Sequence, residues 1–356
     1  MKNRWAVLFM SLFTLTVLSA CSGDAKQTTS PVDSGKAITE SSGENTGSGE
    51  FEKMTLALGH GLVADETSHY HQGAVKFKEL VEEATGGNVT IEIHPNGSLG
   101  GDREMAEGIQ LGTLDMAIIA SAPLGNFASK SNAFDFPFLF RDRDHVYAVL
   151  DGEPGEEVNE QLAEVGIKVL AWAENGFRNM SSSAHPIVNP EDLKGLKIRT
   201  MENQVHLAAF QAYGAAPTPM NFQELFSAMQ QGVVDGQENP LGVIVPNKFY
   251  EVQKYLTISE HVYSPAPLIM NTEKFNGFSP ELQEVFMKAA AEMRDWERNF
   301  VAEKNEQFLQ TAIDKGMEVV TADEFNYDAF FEATKPVYEK YADEYGEFLE
   351  KIIAVE

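Results

Sequence analysis

GLKIRTMENQVHLAAFQAYGAAPTPMNFQELFSAMQQGVVDGQENP, from Gly195 to Pro240, is the stretch that decides the fold. Lys197 to Thr200 alternates polar and apolar residues, which predicts a half-buried strand. Apolar residues then recur at helical spacing up to Gly214, a residue type that favours the left-handed conformation of helix ends. The stretch therefore begins with a strand followed by a helix.

A second helix and strand follow in the same stretch. Pro217 to Pro219 predicts an extended crossing, and Asn221 can cap a helix that ends at Gly232. Val233 and Val234 predict the start of another strand, with a polar loop from Asp235 to Asn239 at its end. Strands that alternate with helices predict a parallel sheet, whose ligands bind beyond the carboxyl ends of the strands.

Part of this stretch repeats an earlier one. QLGTLDMA and QQGVVDGQ each follow an amphipathic helix and open a strand, and they lie 120 residues apart. The repeat predicts two similar α/β lobes, although so short a match is also explained by residue types that are common at helix ends. The matching residues are Gln110, Gly112 and Asp115 in the first copy and Gln230, Gly232 and Asp235 in the second.

The rest of the chain continues the alternation of strands and helices. The strand from Lys168 to Trp172 runs into a polar segment at 173–178, where we expect the first crossover between lobes. Two strands are expected at 255–259 and 262–271. Pro280 to about Lys315 is almost entirely helix-forming, and a helix of that length, about 54 Å, exceeds one lobe. This predicts either a strut across both lobes or two helices with a kink.

The overall charge excludes several partners. The 356 residues are 43% apolar, which suits a packed protein of two domains, and the formal net charge is −27. Such a surface repels nucleic acid and anionic lipid, so neither is an expected partner. A small anion remains possible only in a local cationic pocket.

The N-terminus indicates export. Lys2 and Arg4 precede an apolar run too short to span a membrane, which predicts a signal peptide at 1–20. Leu18-Ser19-Ala20-Cys21 resembles the lipobox of bacterial lipoproteins, and this resemblance implies a lipid on Cys21. Cys21 is also the only cysteine, which excludes an intrachain disulfide. Residues 21–50 contain almost no large apolar side chains and predict a flexible tether after the lipidated cysteine.

Catalytic motifs are absent from the sequence. It contains no nucleophile elbow, phosphate loop or zinc-protease motif, so neither catalytic residues nor a cofactor are predicted. His69 and His71 lie two apart and do not share a helix face, so no metal site is predicted there.

Arg178 and Arg199 are the notable charged residues, because both follow predicted strands of an acidic protein. A guanidinium group can hold a carboxylate through two parallel hydrogen bonds, so two arginines can fix an organic acid. An ion pair with a neighbouring acid is the alternative for either one. From the residues alone, loop capping is the favoured explanation for Asn239 and core packing for Phe222.

Several motifs together resemble one family. GFRNM at 176–180, DLKGLKIRTMEN at 192–203, APTPMNFQEL at 216–225 and VDGQENPLGVI at 234–244 resemble the DctP family, the extracytoplasmic solute receptors of TRAP transporters. The resemblance extends from about residue 54 to the C-terminus. It implies an α/β, two-lobed periplasmic-binding-protein-like fold with crossing hinge strands and a long helix. Lobe I is expected at 51–175 plus about 264–303, and lobe II at 176–263 plus about 304–356.

The resemblance also implies roles for individual residues. Arg199 matches the family arginine that pairs with the substrate carboxylate, and Arg178 matches a second arginine at the same anion. Asn239 matches an asparagine beside it, and Phe222 an aromatic residue of the pocket wall. His60, at the end of the first strand, is expected to contact the distal part of the ligand.

The function that the resemblance implies is capture of a small organic acid for a membrane permease. The segment 120–123 lacks the glutamate and arginine of sialic-acid receptors, so aldonates, hexuronates and C4-dicarboxylates remain. A sugar acid is slightly favoured because Asp65, Glu66 and His69 are polar. A lipid-anchored, extracytoplasmic monomer is expected. The alternatives are a receptor for a sensor kinase and a surface hydrolase or lyase of acidic sugars.

Overall fold

The computed structural model of this protein describes residues 51–356. The predicted signal peptide, Cys21 and the tether lie outside the described residues. Within 51–356, no helix is both long enough and apolar enough to cross a membrane.

Within residues 51–356, nine strands form one mixed sheet. They are β1 (Met54–His60), β2 (Val89–His94), β3 (Met116–Ile118), β4 (Ile167–Ser182), β5 (Lys197–Thr200), β6 (Ala216–Pro219), β7 (Gly236–Asn239), β8 (Tyr255–Asn271) and β9 (Glu318–Val320). Their order is β2-β1-β3-β8-β4-β7-β5-β6, and β9 pairs with β8.

Eleven α-helices surround the described part of this sheet. They are α1 (His69–Ala84), α2 (Asp102–Gln110), α3 (Arg143–Leu150), α4 (Glu153–Glu164), α5 (Gln204–Ala212), α6 (Phe222–Gln230), α7 (Leu241–Ile244), α8 (Thr272–Asn276), α9 (Pro280–Asp314), α10 (Tyr327–Lys340) and α11 (Ala342–Ile353). Four short 3-10 helices complete the described connections, at Ala122–Asn126, Ser129–Asp135, Pro190–Leu193 and Phe249–Glu251.

Two long strands cross the middle of the sheet. β4 and β8 pair with each other in antiparallel fashion, and each also pairs with a short strand of one outer group. The outer groups, β2-β1-β3 and β6-β5-β7, are each parallel. The predicted crossing strands are therefore present, and the expected break between 255–259 and 262–271 is a bulge within one strand.

The repeated residues occupy matching places in the two outer groups. Gly112 and Gly232 follow α2 and α6 with φ of 73° and 68°, a conformation that favours glycine. An Oδ2 atom of Asp115 accepts a hydrogen bond from Ala57 N at 2.8 Å, and Asp235 Oδ2 accepts one from Lys197 N at 2.8 Å. Each aspartate thus joins its strand to the neighbouring parallel strand.

The hydrophobic core lies on both faces of the sheet. Along β3, Met116 and Ile118 belong to one apolar cluster, whereas Ala117 and Ile119 belong to the other, as the alternation of a strand requires. The first cluster contains Ala117 of β3 and Ile198 of β5, one from each outer group, and the second joins residues of β1, β2 and β3 to Leu225 of α6. The core is therefore continuous along the sheet.

The long helix is confirmed. α9 has 35 residues, about 52 Å at 1.5 Å per residue, and it packs against α1, α7 and β4. Glu297 near its middle is buried, and its Oε2 atom accepts a hydrogen bond from Glu174 N of β4 at 2.8 Å. This contact ties the helix to a crossing strand.

Two predicted segments differ from the structure. The segment 235–239, predicted as a loop, contains the buried strand β7, while Val233 and Val234 precede that strand. The strand predicted at 168–172 is longer than expected, because β4 continues through the polar segment 173–178 to Ser182. In both places buried polar side chains find partners on other elements, which the local pattern of apolar residues does not reveal.

Candidate functional site

Arg199 lies on β5 near the carboxyl ends of the parallel strands, with 3% of its surface exposed. Its Nε and Nη2 atoms donate to the carbonyl oxygen of Met220 at 3.1 and 2.8 Å. The guanidinium carbon lies 6.0 Å from the centroid of the Phe222 ring. Its Nη1 atom has no hydrogen-bond partner among the described residues, so one edge of the group is available to a ligand.

Arg178 is fully buried and already carries a partner. Its Nε and Nη2 atoms bind the carboxylate of Glu238, with Nη2 2.9 Å from Oε1, and Nη2 also donates to Asn239 Oδ1 at 3.1 Å. Burial opposes ionisation of Glu238, but the charge of Arg178 and the hydrogen bonds outweigh it, and the pKa of Glu238 lies well below its usual range. Nη1 of Arg178 has no partner within the described residues. Arg178 therefore forms the ion pair that was the alternative explanation from the sequence, and this pair is buried.

Arg199, Phe222 and Asn239 line one small cavity. Its volume is about 20 Å³, and an adjoining space of about 30 Å³ is also lined by Arg199 and Phe222. Ligand sites usually enclose roughly 300–1,000 Å³, so the described conformation is closed and must open to admit an organic acid. Two larger cavities, of about 580 and 600 Å³, contain none of the predicted site residues. Charge and buried donors, not volume, therefore identify the candidate site.

Asp102, at the start of α2, lines both small spaces beside Arg199. Burial raises the pKa of Asp102 to about 6, although a hydrogen bond from Ala120 N at 3.3 Å and the charge of Arg199 oppose this. Burial also lowers the pKa of Arg199 to about 10, so this arginine stays cationic near neutral pH. The sequence prediction missed Asp102, whose only signal was its place at a helix start.

His60 is not among the residues that line the small cavities, although Gly61 and Leu62 are. Its ring is fully buried, and its Nε2 atom lies 3.2 Å from His71 Nδ1. Burial, with a smaller effect of His71, lowers the pKa of His60 to about 3, so the ring is neutral. His60 and Arg178 are therefore the two predicted residues that do not line the small cavities.

The residues that favoured a sugar acid do not line the small cavities either. Asp65 and Glu66 are exposed. His69 is buried, and its Nε2 atom lies 3.1 Å from Asn175 Oδ1. Across residues 51–356, no group of three or more His, Cys, Asp and Glu side chains is arranged to hold a metal ion.

The model of one protein family, described as bacterial extracellular solute-binding protein, family 7 (DctP), matches residues 60–344. The chain belongs to this family. Membership confirms the resemblance drawn from the sequence motifs and makes the chain an extracytoplasmic solute-binding protein that serves transport.

Similar proteins are named as binding proteins. A solute-binding protein of Verminephrobacter eiseniae is 44% identical over 278 residues, which are 78% of this chain and 82% of that protein. The 2,3-diketo-L-gulonate-binding periplasmic protein YiaO of Escherichia coli is 38% identical over 76% of this chain and 84% of its own.

A solved structure confirms the α/β solute-binding-protein fold. It is a TRAP periplasmic solute binding protein from Polaromonas sp. JS666, bound to D-erythronate. It matches with a TM-score of 0.83 and 41% identity, and covers 85% of this chain and 99% of that one.

A buried polar network lies behind the site of this solute-binding protein. Glu238 Oε2 lies 3.6 Å from His261 Nε2, and Glu238 Oε1 lies 3.9 Å from His206 Nδ1. His206 Nε2 in turn lies 3.0 Å from Asp135 Oδ1. Glu238, which the sequence prediction missed, is thus the residue through which Arg178 connects to the rest of the interior.

Proposed function

We propose that this solute-binding protein captures a small organic acid at Arg199 and delivers it to the membrane permease of a TRAP transporter. One observation carries the proposal: a buried arginine, beside an aromatic ring and an amide, keeps a donor atom without a partner among the described residues. A carboxylate would satisfy that donor and neutralise the buried charge.

The remaining predicted residues are proposed to complete this site. Asn239 and Arg178 would contact the same carboxylate, supported by their hydrogen bond to each other. Phe222 would form one wall, because it lines the cavity with Arg199. His60 is proposed as a distal contact beside Gly61 and would act as a neutral ring.

The ligand class is proposed from the lining of the cavity, which combines the cation of Arg199 with the carboxyl group of Asp102. A carboxyl at Asp102 that is partly protonated near neutral pH can exchange hydrogen bonds with a hydroxyl group. The D-erythronate and 2,3-diketo-L-gulonate of the two relatives are acids that carry oxygen substituents. A sugar acid is therefore proposed first, with a C4-dicarboxylate as the alternative.

Closure is proposed to provide the binding energy. The acidic surface repels anions at long range, so capture would depend on short contacts to Arg199 that strengthen when water is excluded. The lobes are proposed at 51–175 plus about 264–303 and at 176–263 plus about 304–356. Their movement about β4 and β8 would open and close the cavity.

The protein is proposed to be a monomer, anchored to the membrane through a lipid on Cys21. Residues 21–50 would form the tether between that lipid and the folded part. The permease would receive the acid at the outer face of the membrane.

A thermal-shift screen of organic acids tests the function. We expect hydroxylated monocarboxylates to raise the melting temperature and their methyl esters to have no effect, because ligand bound to the folded form stabilises it. If no carboxylate raises it, or acid and ester do so equally, the proposal fails. Recovery of the acid unchanged after long incubation would exclude the hydrolase or lyase. Co-purification of a kinase ectodomain in place of a permease would favour the sensor alternative.

A further inference from the structure

A second cavity, of about 580 Å³, lies apart from Arg199. Its walls include Phe138, Phe177 and Tyr327, together with charged side chains. The volume lies within the range of small-molecule sites, roughly 300–1,000 Å³. The cavity shares no lining residue with the small spaces around Arg199, so it is not part of the organic-acid site.

A bulge in β8 builds one wall of this cavity. The ladder between β4 and β8 shifts so that residues 258–261 lie opposite Asn179 alone. Asn179 Oδ1 holds the bulge by accepting hydrogen bonds from Ser259 N at 3.0 Å and Glu260 N at 3.3 Å. Bulges of this kind re-aim side chains next to functional sites. Here the bulge brings Ile258, Ser259 and Glu260 to the cavity.

Two residues of the cavity lining have an unusual backbone conformation. Phe138 has φ of 57° and Glu260 has φ of 43°, both in the left-handed region. Phe138 N donates to His261 O of the bulge at 2.8 Å, and the Phe138 ring packs edge-on to Tyr327 at 4.8 Å. Non-glycine residues keep such conformations only where the surroundings impose them, often at ligand sites.

The charges of this cavity do not cancel. Arg143 is paired with buried Glu174, with Nε 2.9 Å from Oε1, and Arg141 donates to two carbonyl oxygens of the C-terminal segment at 3.2 and 2.8 Å. Three exposed carboxylates of the lining, Asp142, Asp144 and Glu260, form no ion pair within residues 51–356, and Arg141 is the one lining cation without an acidic partner there. An incoming ligand therefore meets aromatic rings and a net excess of two carboxylates.

We propose that this cavity binds a small organic cation, an amine or a quaternary ammonium compound with an apolar body. Aromatic faces attract such cations through the ring quadrupole, and the two carboxylates add an ion pair that an anion or a neutral sugar would not gain. The cation would lie against Tyr327 and Phe138, with its charge towards Glu260 and Asp144.

Titration calorimetry on the full chain tests the proposal, with choline and benzyltrimethylammonium as probes and neohexanol as the uncharged isostere of choline. We expect saturable binding of both cations in the millimolar range or tighter and none of neohexanol. Absence of saturation, or equal binding of choline and neohexanol, would overturn the proposal.

Variants locate the site. The double variant Asp144→Asn, Glu260→Gln replaces two exposed carboxylates by neutral amides and should weaken choline binding about fivefold. Tyr327→Ala should weaken it about threefold. Glu79→Gln, an exposed acid on α1 outside the cavity, is the matched control and should have no effect. Arg199→Ala should leave choline affinity unchanged, which separates this site from the organic-acid site. Choline binding that survives the double variant unchanged would contradict the assignment.

Discussion

Replacing Glu238 by Gln separates the two roles that Arg178 can have. Glu238 and Arg178 are both fully buried, and the carboxylate receives Nε and Nη2 of the guanidinium. The substitution keeps the size of the side chain but removes its charge. Arg178 is then left as a buried cation without a counter-ion at this position.

The expected loss of stability is about 3 kcal/mol. Breaking a buried ion pair by removing one partner typically costs about 3–5 kcal/mol, and the lower end applies because the glutamine oxygen can still accept one hydrogen bond from Arg178. The control is Glu332→Gln, which removes an ion pair with Lys335 whose side chains are 64% and 55% exposed. Such an exposed pair contributes roughly 0–1 kcal/mol.

Urea unfolding and ligand titration of the two variants provide the assay. If Nη1 of Arg178 contacts the bound carboxylate as proposed, the uncompensated charge in Glu238→Gln should strengthen acid binding about tenfold. Unchanged affinity would remove Arg178 from the carboxylate site and leave it a structural residue. Equal stability of Glu238→Gln and Glu332→Gln would refute the reasoning about the buried pair.

Three further predictions concern other parts of the chain. Because the pKa of Asp102 is raised to about 6, a negative charge develops beside Arg199 as the pH rises from about 5 to about 7. The affinity for the organic acid, measured by calorimetry, should therefore fall over this interval. It should not fall in Asp102→Asn. The native state also holds this proton more tightly than the unfolded state, so the free energy of unfolding of the parent protein, measured relative to that of Asp102→Asn at the same pH, should decrease between about pH 4 and 6. Asp115→Ala and Asp235→Ala should each cost about 1–3 kcal/mol in urea unfolding, because each leaves a strand N–H without its acceptor; a cost below 0.5 kcal/mol for either would show that the repeat is not structural. Cys21→Ser should move the protein from the membrane fraction to the supernatant, and retention at the membrane would exclude the lipid anchor.

Periodicity predicted the elements whose signals are local. The helix that begins after Asn221 and the strand at Lys197–Thr200 lie where the sequence predicted them. Helix capping and the alternation of polar and apolar residues depend on only a few neighbouring residues, so both can be recognised locally. The sequence repeat that contains Asp115 and Asp235 was also visible. It reflects a shared contact, because the side chain of each aspartate accepts a backbone hydrogen bond from the neighbouring strand. β7 was missed because its polar residues are satisfied from elsewhere: Gln237 Nε2 donates to Ser181 Oγ of β4 at 2.8 Å.

The candidate site was predicted only in part for the same reason. Arg199, Phe222 and Asn239 share a cavity, as expected from their places at strand and helix ends. Glu238 and Asp102 were missed, because whether an acid is buried beside an arginine depends on tertiary packing. His60 is the last residue of β1, as predicted, and its Nε2 atom lies 3.2 Å from His71 Nδ1.

Titration of an organic acid into Arg199→Ala tests the central claim most directly. The acid is the one that gives the largest thermal shift, and Arg103→Ala is the control, since that arginine lines the adjoining space but is 48% exposed and paired with Glu107 and Glu202. We predict that Arg199→Ala loses about 3–5 kcal/mol of binding free energy, about two to three and a half orders of magnitude in affinity, while Arg103→Ala changes it less than about fivefold. Near-normal affinity in Arg199→Ala, or equal losses in both variants, would contradict capture of the carboxylate by Arg199.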